Sequence, residues 1–196
     1  MERRLVAAAR GVALGFVVLL LGLLAWKVTH RPPGPAFVAK VHRGERPTAP
    51  AFALPVFAAG STDVAPRLQA ALSRGRVDDG DLGGRPTIVN FFASWCPPCK
   101  EEARLLAAGA RSLSGRVAFV GIASQDFKRD LRRFLDRYET SYPVLFDGPG
   151  NAERAWGVAR FPETFVVAPN GRVIEHVAGR LDETELAEVI ATAERS

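Results

Sequence analysis

The chain has 196 residues, 47% of them apolar and 24% charged. That suits one globular domain with an appendage, and fits neither a disordered chain nor a polytopic membrane protein. Its two cysteines exclude a disulfide-rich scaffold and a four-cysteine zinc site, and its three histidines (His30, His42, His176) lie far apart, so no metal site is expected. The net charge of +5 divides unevenly: residues 1–47 hold eight Lys/Arg and two Asp/Glu (+6), and residues 48–196 hold eighteen and nineteen (−1). The basic balance therefore belongs to the N-terminal segment, and no nucleic-acid partner is expected.

Gly11 to Trp26 runs without a charge, and Leu5 to Ala9 extends it upstream across Arg10. From Leu5 to Val28, at ~1.5 Å per residue, a helix exceeds the ~30 Å hydrocarbon core of a bilayer. Arg10 and Lys27 can snorkel to the two interfaces, and Trp26 suits the interfacial belt. Arg3, Arg4 and Arg10 ahead of the segment favour a cytoplasmic N-terminus and an exported C-terminal domain. No small-x-small cleavage site follows the run directly, so residues 1–30 are expected to be an uncleaved single-pass anchor; the alternative is a cleaved signal peptide. Both place the domain in an oxidising compartment. Pro32, Pro33, Pro35 and Pro47 mark residues 31–48 as an extended tether, and the folded domain is expected over 49–196.

Within that domain, residues 51–57 predict a weak strand broken by Pro55. Residues 60–86 are polar and glycine-rich, with a short helical pattern at Leu68, Ala71 and Leu72. Thr87 to Phe92 (TIVNFF) has the composition of a strand covered on both faces. A helix enters through Pro97-Pro98, where a missing N–H costs nothing, and continues to about Leu113. Arg116 to Ala123 predicts a second central strand. Phe127, Leu131, Phe134, Leu135 and Tyr138 mark the apolar face of a helix whose other face is charged and solvated. Pro143 to Phe146 predicts a short strand, and residues 164–168 and 172–177 a hairpin around Pro169-Asn170-Gly171. Asp182 and Glu185 form a cap-like start to a last helix buried through Leu186, Val189 and Ile190. The order β–α–β–α–β–β–α implies an α/β domain in which a parallel crossover precedes an antiparallel hairpin.

The chemistry lies in Trp95-Cys96-Pro97-Pro98-Cys99. Two cysteines at this spacing can close a disulfide where they open a helix, and the helix N-terminus favours a thiolate on the first. Cys96 is then the attacking nucleophile and Cys99 the resolving thiol. A purely structural disulfide is the alternative, but so short a loop removes little chain entropy. With Met1 the only methionine, no thioether is available for copper(I), and a metal is not expected.

The run TIVNFFASWCPPCKEE resembles the active-site strand and helix of the thioredoxin superfamily, and GVARFPETFVVAPNGRVIEHVAGRLDETEL resembles its proline hairpin and last helix. Within the superfamily the chain is most similar to the membrane-anchored thiol–disulfide interchange proteins of bacterial cytochrome c maturation, the CcmG/DsbE, ResA and TlpA-like group. The resemblance covers residues ~48–196 and implies a thioredoxin-like fold, a central mixed sheet flanked by helices. It makes Pro162 the cis-proline opposite the cysteines, with Phe161 before it where relatives carry a smaller residue. Phe161, Pro97 and Pro98 would then line the substrate groove, and Trp95 would pack over the site. It makes Glu102 the buried active-site acid, three residues after Cys99 and hence on one helix face with it. It makes Glu163 the acid of the Pro-Glu-Thr motif. Asn90 stands where thioredoxins carry a buried aspartate, and cannot serve as a general base.

The resemblance implies an exported thiol:disulfide oxidoreductase on the bacterial inner membrane, its domain periplasmic. It would take electrons from a membrane thiol donor and reduce client disulfides such as that of apocytochrome c, with no cofactor beyond the redox-active Cys96–Cys99 pair. The alternatives are an oxidant that donates its disulfide, which Pro97-Pro98 weakly opposes by adding no N–H near the thiolate, and a non-enzymatic, membrane-tethered client-binding module. A peroxidase of the peroxiredoxin type is disfavoured, because Ala93 stands at its threonine position.

Overall fold

The computed structural model describes residues 14–26 and 34–196. The chain divides into two units, residues 1–32 and 33–196. In the first, residues 14–26 form helix α1, whose apolar side chains, from Leu14 to Trp26, are exposed. Among the described residues no helix is long and apolar enough to cross a membrane. The rest of the expected span, residues 5–13 and 27–28, lies outside the described residues.

In the second unit a mixed sheet of seven strands has the order β2-β1-β5-β4-β3-β6-β7. Its elements run α2 (Gly34–His42), β1 (Ala53–Ala58), α3 (Pro66–Ser73), β2 (Arg76–Asp78), a 3-10 turn (Asp79–Leu82), β3 (Thr87–Phe92), α4 (Pro97–Ser112), β4 (Ala118–Ser124) and α5 (Lys128–Arg137), followed by β5 (Val144–Asp147), α6 (Asn151–Trp156), β6 (Glu163–Val167), β7 (Val173–Ala178) and α7 (Glu183–Glu194). Strands β3, β4 and β5 are parallel; β6 is antiparallel to β3, and β7 to β6. Strands β3 and β4 are buried throughout, as their largely apolar runs require. Two apolar layers cover the sheet. One packs α4, α5 and α7 through Leu106, Phe134 and Leu186; the other packs α2, α3 and α6 through Phe37, Leu68 and Trp156.

The extended tether expected over 31–48 is not what the described part of it forms. Residues 34–42 are helical, and Phe37 and Val41, one turn apart, are buried in the second layer. Phe37 packs on Trp156 and Phe165, ring centroids 6.0 and 6.3 Å away. Pro35 sits in the first turn, where it removes no helical hydrogen bond, so its presence does not make the segment extended. Beyond α2, Thr48 bridges to Arg172, and Ala49 N–H donates to the Gly171 carbonyl. The packed unit therefore begins ahead of residue 49. Phe37→Ala is expected to cost about 3 kcal/mol in equilibrium urea unfolding, the low end for a buried phenylalanine; a change below about 0.5 kcal/mol would contradict this docking.

Pro55 does not break β1. Val56 N–H donates toward β2, to the Gly75 carbonyl, so by alternation an N–H at 55 would face β5, and that ladder begins only at Val56. Phe127, expected on the apolar face of its helix, instead precedes α5 and is 76% exposed. The charged face of α5 is not wholly solvated: Lys128 lies over the Phe146 ring and Arg132 over Phe57. The last helix starts as expected. Asp182 accepts from Thr184 N–H and Glu185 N–H, and Glu185 returns a bond to Asp182 N–H.

Candidate active site

The C-terminal end of β3 runs through Ala93, Ser94 and Trp95 into α4, with Cys96 as the N-cap residue. Pro97 and Pro98 fill the first two helical positions and are exposed. They supply no N–H, so the first free donor of the helix is Cys99 N–H, which donates to Cys96 Sγ at 3.3 Å. Cys96 and Cys99 are joined as a disulfide, Cα atoms 5.3 Å apart. Both are buried, Cys99 more completely, and pack with Ala103 and Leu106 of α4.

Trp95 lies outside, 55% exposed. Its indole N–H donates to the Gln125 carbonyl at 3.0 Å, and its ring meets Phe161 edge-on at 5.8 Å. The Phe161–Pro162 peptide bond is cis. Pro162 leads into β6, whose first residue, Glu163, pairs with Phe91 near the end of β3. The cis-proline and the cysteines thus share one end of the sheet, and Trp95 and Phe161 form an aromatic rim there.

Glu102 lies one turn after Cys99 on the buried face of α4 and is 1% exposed. One carboxylate oxygen accepts from Asn90 Nδ2 at 3.0 Å, the other from Leu181 N–H at 2.7 Å. Asn90 Nδ2 also donates to Thr164 Oγ1, so the residue is a hydrogen-bonding strut between α4 and β6. Loss of solvent raises the Glu102 pKa to about 7. Its hydrogen bonds from Leu181 and Asn90 and the charge of Arg180 hold it lower than burial alone would, and Glu185 pushes it up. Glu102 can therefore hold or release a proton at neutral pH beside the cysteine pair.

Glu163 is buried but is not brought to the cysteines. Residues paired across a ladder share a face. Glu163 pairs with Phe91, whose side chain lies in the α2–α3–α6 layer, whereas the cysteines lie in the other layer with Phe92. Glu163 Oε1 accepts from Ala159 N–H and Arg160 N–H, and Oε2 lies 2.8 Å from His176 Nε2. His176 Nδ1 in turn lies 2.8 Å from His42 Nε2 on α2. The expected site acid is thus a clamp on the loop that carries Phe161 and Pro162.

A second clamp gives no sign in the sequence. Asp126, after β4, accepts from Ser94 N–H at 2.6 Å and Ser94 Oγ at 2.7 Å, and from Phe127 N–H. It fixes the residue immediately before Trp95-Cys96. A lone acid between a strand and a helix looks like an ordinary cap, and only the tertiary contact gives it this place.

A family model described as Redoxin matches residues 47–191. Thiol:disulfide interchange protein HelX of Rhodobacter capsulatus is 34% identical over 140 residues, 70% of this chain and 78% of HelX. Thiol:disulfide interchange protein DsbE of Allochromatium vinosum is 36% identical over 110 residues, 56% of this chain and 60% of that protein. Among solved structures, a thiol:disulfide interchange protein of the thioredoxin family from Chlorobium tepidum superposes with a TM-score of 0.59 at 25% identity, covering 76% of this chain and 97% of the other. With the strand–Cys-Pro-Pro-Cys–helix geometry already in place, this chain belongs to the Redoxin family and is a thiol:disulfide oxidoreductase of thioredoxin-like fold.

Proposed function

We propose that this protein is an exported, membrane-anchored reductase of client disulfides, apocytochrome c among them. The observation that carries this reading is the pairing of a helix-capping Cys96 with a deeper Cys99 beside an acid that titrates near neutrality. In the reduced protein the Cys96 thiolate attacks one sulfur of the client disulfide, forming a mixed disulfide, and the other client sulfur leaves as a thiolate and takes a proton. Cys99 then gives its proton to ionised Glu102, directly or through a water, and its thiolate attacks Cys96 Sγ. The client's second sulfur leaves, two electrons have passed to the client, and the protein holds the Cys96–Cys99 disulfide. A membrane thiol donor restores the dithiol. The cis-proline loop beside Trp95 and Phe161 offers the groove in which an extended client segment pairs.

The apolar run Leu5–Val28 and the arginines ahead of it support a single-pass inner-membrane anchor with the domain in the periplasm. The names of HelX and DsbE as thiol:disulfide interchange proteins support the client class. The test is to mix the reduced protein with a haem-free Cys-x-x-Cys-His peptide in its disulfide form. Two peptide thiols should appear for each protein disulfide formed. Oxidised protein that instead converts the dithiol form of the peptide to its disulfide, ending as protein dithiol, would make the protein a disulfide donor.

A further inference from the structure

Beside the cysteine pair, away from the cis-proline, lies a cavity of ≈ 250 Å³ between α4 and α5, lined by Ser94, Lys100, Asp130, Arg133, Arg137 and Tyr138. Ser94 stands two residues before Cys96, and Lys100 follows Cys99. Sheet order fixes the sides: β3, which bears the cysteines, lies between β6, which follows Pro162, and β4, which leads into α5. A client segment paired at Phe161–Pro162 and crossing the cysteines would continue toward this cavity.

The cavity carries three cations and one carboxylate. Arg133 is 3.4 Å from Asp130, and its side chain remains largely exposed. Arg137 rests over the Tyr138 ring at 5.9 Å. Among the described residues no carboxylate pairs with Arg137 or Lys100. Arg133 and Arg137, one turn apart on α5, present guanidinium forks to the same space, the geometry that suits a carboxylate. Of the other α5 cations, Lys128 and Arg132 lie over aromatic rings, and Arg129 shares Asp130 with Arg133. Residues 48–196 carry a net charge of −1, so the positive charge here is local and not part of a basic field over the domain. The volume lies below the ~300–1,000 Å³ of pockets for drug-sized ligands and suits one or two side chains.

We propose that this cavity is a specificity subsite that binds an acidic side chain of the client, on one flank of the client's disulfide. The proposal rests on the exchange activity of Cys96 and Cys99 and names a feature of the substrate that activity prefers.

The experiment uses the reduced full-length protein and three peptides with the same intramolecular disulfide. One carries two glutamates before the disulfide, one carries them after it, and one has glutamine at all four positions. One acidic peptide should be reduced about fivefold faster than the glutamine peptide, the size of two partly exposed ion pairs, and the other within twofold of it. The preference should fall below twofold in Arg133→Gln/Arg137→Gln and in 0.5 M salt, and should be kept only in part in Arg133→Lys/Arg137→Lys, which retains the charge without the planar fork. A poorly folded variant slows every peptide alike and leaves the ratio readable. Equal rates for all three peptides, equal gains from both flanks, or a ratio unchanged in the double glutamine variant would each overturn the subsite. Glutathione disulfide reduced as fast as the favoured peptide would place the carboxylate on a small thiol and overturn the client assignment. Reduction of the glutamine peptide reads the exchange chemistry itself. If none is reduced, the oxidised protein with the dithiol peptides yields the same ratio.

Discussion

Cys99→Ser is expected to stall the protein as a stable mixed disulfide with its client, while Cys96→Ser ends exchange without forming any adduct. The two positions are inequivalent in the structure. Cys96 caps α4, faces the positive end of the helix dipole and accepts the Cys99 N–H at 3.3 Å. Cys99 lies deeper, among apolar side chains and beside Glu102, where its thiolate has less to stabilise it. Attack therefore starts from Cys96, and only Cys99 can release the client. Turnover in either variant should fall by at least about 10⁴-fold, as removal of an essential nucleophile does elsewhere. Non-reducing electrophoresis after mixing with an oxidised client peptide separates the variants: an adduct band with Cys99→Ser alone. Adducts of equal yield from both would reverse or erase the assignment.

Glu102→Gln should remove the main pH dependence of both the chemistry and the stability near neutrality. Burial raises the Glu102 pKa from 4.5 to about 7 in the folded protein. A group raised in this way favours the fold fully below pH 4.5, and that contribution is lost as pH rises through about 7. The difference amounts to about 3 kcal/mol of penalty for holding the ionised carboxylate above pH 7. Glutamine carries no such penalty. Its amide can be accommodated by reversing the Asn90 side chain, so that the Asn90 carbonyl oxygen accepts from the new amide and from Thr164 in place of donating. In urea unfolding of the oxidised form, the variant should gain on the wild type from pH 5 to about pH 7, and the gain should level off above it. In single-turnover reduction, the wild-type rate of mixed-disulfide resolution should show an inflection near pH 7 that the variant lacks. A parallel pair of stability profiles would remove Glu102 from the titrating role.

Much of this site is legible in the sequence because its signals are local. An apolar strand, two cysteines and two prolines at a helix start lie within fourteen residues, Thr87 to Lys100, and each has a physical meaning without its neighbours in space. The capping box at Asp182 and Glu185 is local in the same way. Other features are tertiary. Helix α6 is six residues long, too short for a periodic pattern, and is held by backbone N–H bonds to Asp147 from outside the helix. Helix α2 carries its core contacts on Phe37, Val41 and the half-buried Val38, inside a stretch whose prolines suggest an extended chain. The Asp126 clamp on Ser94 joins residues 32 apart. Glu163 shows the opposite case: a motif marks the residue, but strand pairing sends its side chain to the face away from the cysteines. Motif position located the acid, and only register located its carboxylate.

The most direct test of the reducing assignment is the equilibrium reduction potential of the Cys96–Cys99 pair in a thiol buffer, followed by thiol alkylation. The pair should lie near or below the ~−220 to −270 mV of glutaredoxins and thioredoxin. A potential near ~−120 mV, that of a strong periplasmic oxidant, would contradict it and make this protein a donor of disulfides.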